Sequence, residues 1–212
     1  MDLGELIEFA IRRQDTIFSL LLQHLGIVFT ALVISLVISL FIGYAITHNK
    51  KAASIVLYIC SMLMTIPSLA LFVFFIPLLG IGTRPAIAGL VIYTLLPVVR
   101  NTYVGLTNTD KAVIEAARGM GLTGTKITLK IKIPLALPVV FAGIRTAVVM
   151  GIGLAAIAAY IGAGGLGEYI FQGINRNNRN MIFIGAIIIS LITIIIDRVM
   201  QVLQKRFEKS IR

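Results

Sequence analysis

Tryptophan is absent, cysteine occurs once and histidine twice in the 212 residues. Cys60 therefore has no partner for an intrachain disulfide, and it sits inside an apolar run as one more small hydrophobe. His24 and His48 lie far apart, and no His, Cys or carboxylate cluster has metal-ligand spacing, so neither metal nor cofactor is expected in this chain. No glycine-rich stretch is followed by the Lys and Ser/Thr of a phosphate loop, which excludes an ATPase site of its own and points away from enzymatic chemistry. Charge is scarce too, at 13% of residues, with 19 basic against 9 acidic side chains. Apolar runs separate the basic residues, so the net charge of +10 fits loops beside anionic lipid rather than a nucleic-acid partner.

What the chain has in quantity is apolar surface. Hydrophobic residues make up 58% of it, and the mean hydropathy is +0.98. Such values exclude a soluble globular domain and predict a polytopic all-α membrane protein, since backbone groups in lipid must be paired internally and alternating barrel strands are missing. A bilayer core of about 30 Å takes about 20 apolar residues in a helix. Five segments meet that length: Ser19 to Ile46, Ala53 to Leu79, Pro85 to Leu106, Leu135 to Ile161, and Met181 to Leu203. The apolar run from Thr16 to Ile46 is too long for the core of a cleavable signal peptide. Residues 1–212 read as one transmembrane domain. Its first fifteen carry Leu3, Leu6, Ile7, Ala10 and Ile11 at helical spacing among Glu5, Glu8, Arg12 and Arg13. An amphipathic helix on the membrane surface is one reading of them, a frayed terminus the other.

Five spans put the termini on opposite sides. Lys50, Lys51, Arg100, Lys111, Arg118, Lys126, Lys130, Lys132, Arg198, Lys205, Arg206, Lys209 and Arg212 collect on one side, against Arg12, Arg13, Arg84, Arg176 and Arg179 on the other. Lys and Arg favour cytoplasmic loops, so the N-terminus is expected outside and the C-terminus in the cytoplasm.

The longest cytoplasmic loop, residues 108–134, contains a short polar helix. Asp110 is placed to cap it and Gly121 to end it in a left-handed conformation, about three turns later. Ala112, Val113, Ala116, Ala117 and Met120 fall on one small apolar face, with Glu115 and Arg118 beside it and Gly119 in the last turn. Small side chains admit close approach by another backbone and flanking charges fix register, so the helix is suited to be gripped; an interfacial filler is the alternative. A second helical piece is expected from Lys126 to Ile131, capped by Thr125, with Pro134 in the first turn of the fourth span.

Glu115, Ala116, Ala117, Gly121, Ile131 and Pro134 follow the order Glu-Ala-Ala, three residues, Gly, nine residues, Ile-x-x-Pro. This resembles the EAA loop of ABC importer permeases; Ile133 stands where the family has Leu, a volume-conserving change. The stretches IPSLALFVFFIPLLGIGTRPAIAGLVIYTLLPVVRNTYVGL and GIRTAVVMGIGLAAIAAYIGAGGLGEYIFQGI are similar to the osmoprotectant branch, the permeases for glycine betaine, carnitine and choline. The resemblance implies a type I permease fold with a methionine-permease-like core in a bacterial or archaeal cell membrane. It also implies two cytoplasmic ATP-binding subunits that hold ATP and Mg, a second permease copy or homologue, and an extracellular substrate-binding protein. Asp110 to Gly121 then form the coupling helix. Other branches, the methionine permeases among them, share the loop and are the alternative; an ion-driven secondary transporter is the rival class.

Inside the membrane, Gly143, Ala147, Gly151, Ala155 and Ala159 recur every fourth residue and make a smooth stripe, suited to close helix packing or to an open passage. Arg145 and Asp197 lie at membrane depth and are expected to pair and hold helices in register, with direct substrate contact as the alternative. Pro67 and Pro97 interrupt helical hydrogen bonding as kinks or hinges. Tyr93, Tyr103 and Tyr160 are candidate wall residues, with membrane packing as the alternative. Gly162, Gly164, Gly165 and Gly167 are expected in an outer turn that acts as a pivoting gate.

Overall fold

The computed structural model describes residues 3–211, and the side chains of residues 4–209. Arg212 and the side chain of Leu3, both used in the sequence reading, lie outside that range. The described residues form ten α-helices and no strand.

Helix α1 (Leu3–Arg12) turns at Arg13 directly into α2 (Gln14–Ala45). At 32 residues, α2 is about 48 Å long, more than a bilayer core of about 30 Å requires. Its first turns lie before the expected Ser19 boundary, because Gln14 to Thr16 continue the helix although they are polar. The expected amphipathic face of α1 divides: Leu6 is buried against Ile17, Leu166, Tyr169, Met181 and Ile184, while Ile7 and Ile11 stay exposed.

The second expected span is two helices, α3 (Lys50–Thr65) and α4 (Ser68–Leu79), bent by 96° at Ile66 and Pro67. Pro67 supplies no N–H and pushes Ile66 to extended backbone (φ −66°, ψ 129°), so the helix restarts instead of kinking. Tyr93 donates its hydroxyl to the Ile66 carbonyl, one of the acceptors freed by the break. The pair still crosses the bundle. α3 starts beside Val99 and Tyr103, near the end of α5 (Thr83–Thr107), where Ile46 and Ala53 pack. α4 ends beside the start of α5, where Gly82 donates to the Ile161 carbonyl at 3.1 Å. Pro97, by contrast, sits inside a continuous α5.

α5 is the hub, packed against α2, α3, α4 and α8 (Ile133–Ala158). Gly143 of α8 lies so close to α5 that an added Cβ would stand 2.6 Å from the Pro97 carbonyl oxygen. The whole stripe Gly143, Ala147, Gly151, Ala155, Ala159 is buried. It meets α5 and α2, around Val28, Leu32 and Thr94. Within the chain the stripe serves helix packing. α9 (Leu166–Asn175) caps the end of the bundle, and α10 (Arg179–Ile211) closes it against α8 and α9.

Gly143→Leu should overpack the α5–α8 contact and cost about 1–3 kcal/mol, lowering the thermal midpoint of the detergent-solubilised protein. Gly153→Leu, at a position with open space around it, should leave the midpoint near wild type.

Candidate coupling helix and membrane polar sites

α6 (Lys111–Gly119) is the predicted loop helix, nine residues long, or about two and a half turns. Asp110 accepts from the Ala112 N–H at 2.9 Å, closing the N-terminus. At the other end Gly121 (φ +81°) turns left-handed, Leu122 N–H donates to Ala117 at 3.1 Å and Gly121 N–H to Arg118 at 2.9 Å. That double closure satisfies the last carbonyls and stops the helix within one residue.

The apolar face differs from the expected one by a rotation. Ala117 is 1% exposed and turned inward; Ile114 is half-buried beside it. Ala112, Val113, Ala116, Gly119 and Met120 are exposed and span an arc of roughly 120° at about 100° per residue. Glu115 flanks that arc, also exposed. Behind the helix, Ile114 and Arg118 share a cavity of about 440 Å³ with Tyr44, His48, Ile127 and Lys132. The sequence period put Ala117 on the outer face because alanine does not announce which side is inward.

The expected second piece is not a separate element. α7 (Gly124–Ile127) begins after Thr123, without a side-chain cap, and runs into α8 through one π-helical turn, Thr128–Lys132. Within it Ile133 N–H reaches back five residues to the Thr128 carbonyl. Pro134 follows immediately, and the wider turn accommodates its missing N–H without breaking the helix. Gly124 to Ile161 is therefore one apolar helical body of 38 residues.

At its far end the chain turns through Gly162, Gly164 and Gly165, all with φ between +76° and +82°. The turn is buried from Ala163 to Gly167 rather than free on the surface. Gly165 N–H donates to Gln23 at 3.0 Å, and His24, 1% exposed, bonds through Nε2 to the Ile152 carbonyl at 3.1 Å. A Cβ at Gly167 would lie 2.1 Å from the Ala156 oxygen. Gln23 and His24 were missed as positioning residues; two adjacent polar side chains inside an apolar run were the available signal.

Arg145 and Asp197 meet in a two-pronged ion pair, Nε to Oδ1 at 2.6 Å and Nη2 to Oδ2 at 2.7 Å. Tyr93 is buried and holds the α3–α4 break. Tyr103 is half-buried against Ile46, Ala53 and Val99. Tyr160 is exposed, with its ring on Phe171 at 5.4 Å.

These features define a polytopic helical membrane subunit. A chain of the MetNI methionine ABC transporter, solved facing inward, has the same fold at a TM-score of 0.81 and 23% identity, covering 90% of this chain and 95% of that one. The chain belongs to the family of binding-protein-dependent transport system inner membrane components, whose model matches residues 35–209. It is 42% identical over 184 residues to the glycine betaine/carnitine/choline transport system permease protein OpuCB of Bacillus subtilis, covering 87% of this chain and 85% of that protein. It is also 42% identical over 203 residues to the osmoprotectant import permease protein OsmW of Salmonella typhimurium, covering 93% and 94%.

Gly121→Val places a β-branched residue at φ +81° in open space, so its cost is backbone strain of about 1–2 kcal/mol. Amide hydrogen exchange should speed up from Arg118 to Leu122 while the thermal midpoint of the membrane core stays unchanged.

Proposed function

We propose that this chain is the membrane subunit of an ATP-driven importer for osmoprotectants of the glycine betaine, carnitine and choline type. Two copies, or one copy and a homologous permease, flank a passage; an extracellular binding protein delivers the solute; and two cytoplasmic subunits bind ATP and Mg and do the hydrolysis. This chain contributes no catalytic group. The observation that carries the reading is α6: a helix closed at both ends, with an open face of small residues edged by Glu115, in a chain whose relatives are permeases for these solutes. Residues 108–134 act as the coupling loop and residues 1–212 as one permease domain.

Coupling here is a population shift. Nucleotide binding must favour one arrangement of the partner subunits, and the face of Ala112, Val113, Ala116, Gly119 and Met120 carries that preference into the membrane. Because the π turn joins α7 to α8 without a break, a displacement of the loop is a displacement of the fourth span. The crossing of the α3–α4 pair supports five passages through the membrane. With the excess of Lys and Arg on one side, that supports an outer N-terminus and a cytoplasmic C-terminus.

In proteoliposomes holding the full complex, Glu115→Lys should lower ATP-driven glycine betaine uptake by roughly tenfold or more while membrane insertion stays intact. Uptake by this chain without any ATPase subunit would replace the proposal with an ion-driven carrier.

A further inference from the structure

α8 has a second face. Opposite the buried stripe, Thr146, Gly153, Ile157 and Tyr160 are exposed along it. At its edge stands the pair of Arg145 and Asp197, with side chains 27% and 31% exposed. Arg145 lies about 18 Å along α8 from Ile133, at about 1.5 Å per residue, so the pair is at membrane depth. Charged groups left partly open at that depth face water or protein, not hydrocarbon. Beside them is a hollow of about 370 Å³, lined by Arg145, Asp197, Thr146, Val149, Met150 and Gln204. That volume is in the range of small-ligand sites, about 300–1,000 Å³. One turn toward the cytoplasm, Phe141 and Phe207 pack at 5.3 Å and close the α8–α10 seam.

We propose that this hollow is a contact site for a zwitterionic solute, which enters by exchanging partners with the ion pair; the proposal rests on the permease reading above. Among the described residues Arg145 hydrogen-bonds only to Asp197, through Nε and Nη2. The other edge of its guanidinium is available to a carboxylate. The solute's quaternary ammonium then lies against Asp197, with its methyl groups on Val149 and Met150. No proton moves and no bond forms. With the site empty, the two charges neutralise each other. A lone anion that separates them leaves Asp197 bare, and a lone cation leaves Arg145 bare. A zwitterion leaves neither bare, so the pair favours glycine betaine over choline, whose lone positive charge leaves Arg145 bare.

The test uses the full complex in proteoliposomes, with labelled glycine betaine, which has a carboxylate, and choline, which has none. Arg145→Gln should raise KM for glycine betaine by about tenfold or more and leave KM for choline unchanged or lower it. Asp197→Asn should raise both. Should Arg145→Gln fail to fold, Arg145→Lys keeps the charge without the fork and should still penalise glycine betaine selectively. In a Cys60→Ser background, Thr146→Cys should react with a membrane-impermeant thiol reagent, and glycine betaine should slow that reaction. The proposal is overturned if Arg145→Met with Asp197→Leu, which removes both charges, takes up glycine betaine with the wild-type KM, since the pair would then only hold α8 to α10. An unreactive Thr146→Cys overturns it as well, because that face would be packed away from water. If the wild-type complex takes up neither solute, the permease reading falls and the site with it, a result distinguishable from any loss confined to the variants.

Discussion

The close contact of α8 with α5 is the constraint on which the other features depend. At Gly143 the two backbones are too near for any Cβ, and the small residues above it stay buried along the same face. Along that face the nearness is local to Gly143, since a Cβ at Gly151 would meet only side chains at ordinary contact distance; close packing at such a point is how helices associate where lipid offers no hydrophobic driving force. Its consequence is rotational. Once Gly143, Ala147, Gly151, Ala155 and Ala159 face α5 and α2, Thr146 and Gly153 must face the other way and Arg145 must point toward α10. The position of the ion pair therefore follows from where the glycines are.

The same rotation reaches the loop that carries α6. A π-helical turn adds one residue to the helical repeat without breaking hydrogen bonding, so α7 inherits the orientation of α8. A loop joined to its span by flexible residues would absorb a push as local bending. This one does not have that freedom between Gly124 and Ile161. What remains compliant is the short link at Met120 to Thr123, and there the double closure at Gly121 limits the movement.

Much of this was legible in the sequence, for identifiable reasons. Hydropathy located the membrane-crossing segments because lipid tolerates no other composition, and Asp110 and Gly121 marked the ends of α6 because caps have narrow chemistry. The motif order from Glu115 to Pro134 pointed to the family. The sharp break at Pro67 was not legible: proline says that a hydrogen bond is lost, but the neighbours decide whether a helix kinks or restarts, and here Tyr93, 27 residues away, supplies the donor. Nor was the inward turn of Ala117, since alanine suits either side of a helix. The continuity of α7 into α8 was hidden for a related reason. Pro134 reads as a helix start, and only the hydrogen bond from Ile133 to Thr128 shows that the helix passes through it.

The two ends of the 38-residue body are held differently. At the glycine turn, Gln23 bonds to Gly165, His24 to Ile152 and Gly82 to Ile161, and Gly167 lies against the Ala156 backbone. At the α6 end the exposed helix face has no such ties, and behind it lies a cavity of about 440 Å³. Buried hydrogen bonds and close backbone contacts resist opening, whereas exposed helices with few buried contacts yield first. A force applied at α6 therefore works on a lever whose far end is the fixed one. In the proposed cycle, with the glycine turn as the fulcrum, displacement grows along α8 toward α6, and the pair of Arg145 and Asp197, at the middle of α8, moves by an intermediate amount.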